Sequence, residues 1–177
     1  MNEQLIKLAI EAGAAKAEMI TVDQIITSAT FREACRQNMC GQWGKCWMCP
    51  PDVGEVNELM AQIRNYRHGL GYQTIGELED SFDIEGMGEA KKRHIALTHR
   101  IEAAAKTLVG DHLHLTCGGC GVCERCAKVD GQPCRFPEKA LPSLEAYGVD
   151  VYNTTRQTSL KYINGQNTVT YFSVLLF

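Results

Sequence analysis

The sequence lacks most of the features that assign a chain to a functional class. It has no run of about 18 apolar residues, so no membrane-spanning helix is expected. It has no surplus of basic charge: 18 lysines and arginines face 21 acidic residues, for a net charge of -3. Such a balance gives no general attraction for phosphate backbones, so neither nucleic acid nor a membrane is an expected partner. The opening MNEQLIKLAIEAG lacks the basic start and unbroken apolar stretch of a secretory leader, which predicts a cytoplasmic protein. No phosphate loop, dinucleotide fingerprint or Ser-His-Asp pattern occurs; Gly69-Leu70-Gly71 continues as Tyr72-Gln73-Thr74. Nothing points to a nucleotide or a flavin. Internal repeats and low-complexity segments are also missing.

What the chain does have is cysteine. Nine occur in 177 residues, at positions 35, 40, 46, 49, 117, 120, 123, 126 and 134. They form two tight groups, with 67 residues between Cys49 and Cys117. In a reducing compartment disulfides do not persist, and an odd count argues against a closed disulfide framework. Clustered thiols there point to metal. The rest of the composition, 45% hydrophobic and 22% charged, is that of one globular domain over residues 1–177.

Coarse patterning predicts an α/β (α+β) fold: a small mixed sheet of about four strands flanked by helices. An amphipathic helix is expected over 3–16, carrying Leu5, Leu8, Ala9 and Ala12 on one face. Strands are expected over 18–27, 69–75, 112–116 and 168–177, the last almost continuously apolar and therefore central. Asp52 suits an N-cap, with Glu55 three residues on, for a helix buried through Val56, Leu59, Met60 and Ile63. A long helix is expected from about 87 to 109. A short one over 154–162 is preferred to a hairpin at Asn164-Gly165. Pro142-Ser143-Leu144-Glu145-Ala146 reads as a capped helical turn that Gly148 stops. The acidic stretch 77–89 is followed by Lys91, Lys92 and Arg93, which cancel much of its charge and favour a solvated helix start over a partner site. The cysteine loops 35–51 and 117–140 are predicted to converge at one end of the sheet.

The second group carries the stronger signal: Cys117-Gly-Gly-Cys120-Gly-Val-Cys123-Glu-Arg-Cys126, then Pro133-Cys134. Two-residue spacers let successive thiolates reach different corners of one compact cluster while spacer amides face its sulfides. Gly118, Gly119 and Gly121 permit the backbone to wrap closely. The run resembles the cubane-binding C-x2-C-x2-C of bacterial ferredoxins. Here, however, seven residues separate Cys126 from Cys134, and the proline precedes the last cysteine. Zinc is the alternative, since Cys46-x2-Cys49 with a C-x2-C pair from the second group would supply four thiolates. Three overlapping C-x2-C units suit one zinc ion poorly, and [4Fe-4S] clusters, two of them, are the favoured expectation.

The first group, Cys35, Cys40, Cys46 and Cys49 followed by Pro50-Pro51, brings the count to eight thiolates for two four-cysteine clusters. The ninth is spare. Trp43, Trp47, Met48 and Phe136 stand near these cysteines, where they could exclude water from a cluster or serve only as packing. The pattern Cys35…Cys40…Cys49-Pro50-Pro51, then Gly-Cys120-x2-Cys123-x2-Cys126…Pro133-Cys134-Arg135-x-Pro137 and Pro142-Ser143-x-Glu145-Ala146-x-Gly148-Val149-Asp150-Val151, resembles a family of predicted cysteine-rich metal-binding proteins. That family is catalogued as a domain of unknown function and occurs widely in anaerobic bacteria and archaea. The resemblance implies metal binding, most plausibly iron–sulfur, with Cys46 and Cys117 outside the regular set.

Two ligand divisions stay open. The simple one gives Cys35, Cys40, Cys46 and Cys49 to one cluster, and Cys120, Cys123, Cys126 and Cys134 to the other; Cys117 is a further candidate. The crossed one moves Cys49 to the second cluster and Cys134 to the first. Among other residues, His94 reads as a satisfied, partly buried histidine, with proton transfer beside a cluster as the alternative. His112 and His114 read as a solvated strand face. Ser143 reads as a cap, Glu145 as either structural or a proton handler, and Arg135 as a surface arginine or a hydrogen-bond donor to a cluster. The leading functional expectation is an electron carrier with a redox partner protein. Its rivals are an enzyme whose cluster has one iron without cysteine and a zinc-stabilised interaction module. Catalytic residues and oligomeric state, including a homo-oligomer, are left open.

Overall fold

The computed structural model describes all of residues 1–177. Its strands are β1 (Lys16–Thr21), β2 (His68–Glu77), β3 (Leu113–Leu115) and β4 (Thr168–Leu176). They make one four-stranded sheet in the order β1-β2-β4-β3. The α+β class, the strand number and the central position of β4 match expectation. Every ladder is antiparallel rather than mixed; the one parallel pairing is the isolated bridge Thr116↔Ser143.

Alternation along β4 sends Phe172, Val174 and Leu176 into one core and Leu175 into another. Helix α1 (Asn2–Glu11) and helix α4 (Ile84–Leu108) cover the Leu175 face. There Leu5, Ala9, Leu97, Ile101 and Ala105 meet Leu70 and Tyr72 of β2. The opposite face takes Leu59 and Ile63 of helix α3 (Val56–Ile63), with Leu144, Ala146 and Val149 from the segment after the second cysteine group. Each fully buried aliphatic side chain contributes about 1.5–3 kcal/mol, so both faces are well secured.

Several local expectations need correction. The first helix ends at Glu11 rather than residue 16, because Gly13 (φ 110°) turns the chain toward β1. The first strand stops at Thr21, where a single 3-10 turn over Val22–Gln24 lets Ile25 drop into the core. Residues Ala29–Arg36 form a helix, α2, that takes Cys35 and Arg36 out of the loop expected over 35–51, with the Ser28 hydroxyl accepting from the Thr30 amide. Glu55, not Asp52, precedes α3, because the Asp52 carboxylate is engaged by Lys128. The helix expected over 154–162 is the short α5, Val151–Thr155, capped by Asp150. It ends early because the chain must bring Leu160 into the core before β4. No helix is long and apolar enough to cross a membrane.

Candidate metal centre

The first cysteine segment is placed by α2, whose last turn carries Cys35. Arg32 lies one turn earlier, on the same face. Its guanidinium donates to the carbonyls of Ala146 (3.0 Å) and Gly54 (2.7 Å), fixing α2 against the turn over Glu145–Tyr147. Beyond α2, Asn38 adopts a positive φ of 54° and its side chain accepts from the Trp43 amide. Cys40 is exposed at this bend, whereas Cys46 and Cys49 are buried. The Cys49 amide donates to the Cys46 carbonyl at 3.0 Å, closing the turn before the cis Pro50-Pro51 bond.

The second segment leaves β3 at Thr116, which exchanges backbone hydrogen bonds with Pro142 and Leu144. Gly118 and Gly121 take φ of 64° and 70°, as their place in the wrapping loop demands. A Cβ on Gly118 would lie 2.6 Å from Lys91 Nζ, so α4 packs directly on this backbone. Ser143 caps the next turn by accepting from the Ala146 amide (3.0 Å), as expected. Gly148 ends that turn at φ 68°, where any Cβ would sit 2.9 Å from the Ser28 carbonyl.

The two segments come together. Trp47 Nε1 donates to the Gln132 carbonyl at 2.9 Å, and Lys128 lies over the Trp47 ring while pairing with Asp52. All nine cysteines are free thiols, gathered chiefly around two adjoining cavities. One, of about 360 Å³, is lined by Cys35, Cys40 and Cys49, together with Trp43, Ser143 and Glu145. The other, of about 190 Å³, is lined by Cys46, Cys120, Cys123, Cys126 and Cys134, and by Cys40, which both cavities share. Trp47, Met48 and Phe136 supply its apolar wall. Cys117 lines neither; it opens on a third cavity beside Lys91, Glu145 and Tyr171.

Cys46 links the two groups. Its sulfur lies near the Cys49 and Cys126 thiols and the backbone of Cys120 and Met48. The neighbouring Cys49 thiol, above all, pulls the Cys46 thiol down despite burial, and the same contact pushes Cys49 up. Burial raises Cys117 to about 12 and also raises Cys35 and Cys120, with Glu145 adding to the first two. Lys91, whose chain borders the second and third cavities, makes no ion pair.

This donor set suits an iron–sulfur group. No three His, Cys, Asp or Glu side chains converge tightly enough to grip a single ion. The thiols instead surround spaces several waters in size, at about 30 Å³ per water. An unpaired lysine beside them offsets the negative charge such a group brings. Glu145 lines both the first and the third cavity, and its Oε2 is buried with no hydrogen-bond partner, a costly state for a carboxylate oxygen.

The remaining sequence candidates lie elsewhere or do other work. His94 is fully buried, hydrogen-bonded to Thr74 (2.8 Å) and Ser173 (2.7 Å), and burial lowers its pKa to about 3. His112 and His114 are not a solvated face. Both meet the Glu102 carboxylate of α4, and His114 also bonds the Tyr72 hydroxyl at 2.7 Å. Although burial alone would raise it, Glu102 is held at about 2 by these two histidines. Arg135 donates to the Arg125 carbonyl and braces its own loop. Lys91, Arg32 and the Asp52–Lys128 pair were not foreseen, because each matters only through partners distant in sequence.

Fold and site together define an α+β protein whose cysteines meet between two loops. The family model of DUF2284, described as a predicted metal-binding protein, matches residues 18–177, and the chain belongs to that family. No curated protein and no solved structure matches it.

Proposed function

We propose that this protein holds two [4Fe-4S] clusters and carries electrons to or from a partner protein. The observation that supports this most is the grouping of eight cysteines around two adjoining cavities that share Cys40. When bound, such a cluster supplies one-electron transfer at a potential set by its hydrogen bonds, charge and exposure. The chain's own residues do the rest. In the first cavity Cys35, Cys40 and Cys49 would act as ligands, and in the second four would come from Cys46, Cys120, Cys123, Cys126 and Cys134. Trp43, Trp47, Met48 and Phe136 would limit water. The Cys46–Cys49 contact joins the two sites, and exposed Cys40, next to Met39 at 91% exposure, gives the pair an edge facing solvent.

A second reading, a cluster that binds a small substrate at an iron without cysteine, is favoured by one observation: only three thiols line the first cavity, and one of them, Cys40, is shared. The test common to both is anaerobic purification followed by visible spectroscopy. Broad absorption at roughly 400 nm that dithionite bleaches is expected for iron–sulfur. A colourless protein with stoichiometric zinc would refute both readings.

A further inference from the structure

Glu145 is anomalous among the carboxylates of this protein. Three buried side-chain polar atoms lack partners: Asp52 Oδ2, Gln73 Nε2 and Glu145 Oε2. Asp52 pairs with Lys128 through its other oxygen, and Gln73 accepts from the Lys161 amide through its own. Glu145 has no such compensation, since neither of its oxygens takes part in a hydrogen bond within 3.5 Å or an ion pair within 4.0 Å. Its Oε2 alone is buried, and a buried carboxylate oxygen without a donor is costly unless a bound group satisfies it.

Its surroundings point to a cation. Glu145 is the only carboxylate lining the cavity of Cys35, Cys40 and Cys49, and no imidazole lines it. The turn that bears it is held on both sides. Leu144 donates to the Thr116 carbonyl at 2.8 Å, and the Ala146 carbonyl accepts from Arg32. Because Arg32 and Cys35 share a face of α2, that one clamp sets the carboxylate and the Cys35 thiol against the same cavity. The first cavity is one thiolate short of a four-cysteine set, while the second has five to draw on.

We infer that Glu145 Oε2 is the fourth ligand of the cluster in the first cavity, completing the set of Cys35, Cys40 and Cys49. The inference rests on the iron–sulfur reading above. An oxygen ligand is harder than thiolate and holds iron less firmly against exchange. The iron it holds is therefore the one corner open to a small incoming donor.

The test uses the full chain, loaded anaerobically with isotopically enriched iron, as wild type, Glu145→Gln and Glu145→Cys. The readouts are the Mössbauer subsites and the iron lost to mild ferricyanide. Wild type should show one distinct iron and lose it first, giving the paramagnetic signal of a three-iron cluster. Glu145→Cys should abolish both the distinct subsite and the selective loss; Glu145→Gln should lose that iron several-fold faster. If all three proteins behave alike, Glu145 is not a ligand, although the iron–sulfur reading stands. If Glu145→Gln does not fold, Glu145→Cys decides alone, and loss equal to wild type overturns the inference. Wild type without iron or sulfide would remove the underlying reading as well.

Discussion

The sheet with its helices and the cysteine-bearing lobe are ordered by different means. Around the sheet, two apolar cores fill both faces, from Leu5 and Ile101 on one side to Ile63 and Phe172 on the other. In the lobe, Ala127 is the only buried residue between Gly121 and Ala140. Its regular structure there is one 3-10 turn, Ala127–Asp130. A segment with so little apolar burial has little of its own to offset the conformational entropy of a fixed loop. What it has in abundance is thiols. The body of the protein is thus stabilised by burial, whereas on the proposed function the lobe would gain its order from what its cysteines bind.

The largest effect should come from attacking the lobe's ligands. The double change Cys123→Ala with Cys126→Ala, which leaves Cys46, Cys120 and Cys134 of the five, should cost the second cluster and leave residues 118–140 unprotected in hydrogen exchange, while β2 and β4 keep their protection. Cys117→Ala should retain more iron, because Cys117 lies outside both cysteine-rich cavities and a saturated cluster has no iron for a further thiol. Equal iron loss in the two variants, counted after anaerobic purification, would make Cys117 a ligand and erase the distinction.

A change in the body should show the reverse pattern. Ile101 is fully buried between α4 and the sheet, so Ile101→Ala should cost about 2–5 kcal/mol in thermal unfolding. The cost should be the same with clusters present or stripped. A cost that vanished in the stripped protein would mean that the body depends on the metal too.

Acid offers a smaller, graded probe of the body. Burial depresses His94 from 6.5 to about 3, so the folded protein excludes a proton that the unfolded chain takes up. The resulting stability is fully present above pH 6.5 and is lost as pH falls toward 3, by about 1.4 kcal/mol per pH unit. Between pH 6 and 4.5, before Glu102 contributes through its own depressed pKa, His94→Gln should flatten the slope of stability against pH. Urea unfolding at several pH values checks this; parallel slopes would contradict it.

The same division governs what could be read from sequence. The elements of the body announce themselves, because α4 and β4 bury residues at helical and near-continuous spacing. Helix α2 does not. Its apolar stripe, Phe31, Ala34 and Cys35, spans barely one turn and none of its eight residues is buried, so it does not stand out beside the cysteine group. The expectation of metal at Cys120, Cys123 and Cys126 comes from their spacing alone. The grouping of Cys46 with them does not, since it depends on contact across more than seventy residues with Cys120 and Cys126. His114 reads as solvated because β3 is an edge strand, yet Glu102 of α4 covers it.

The central claim, that the two adjoining cavities each hold a cluster, is tested most directly by counting iron and acid-labile sulfide per chain. The protein should be purified anaerobically for that count. The account predicts about eight of each, the content of two four-iron clusters. A count of about four, or zinc with no sulfide, would contradict it.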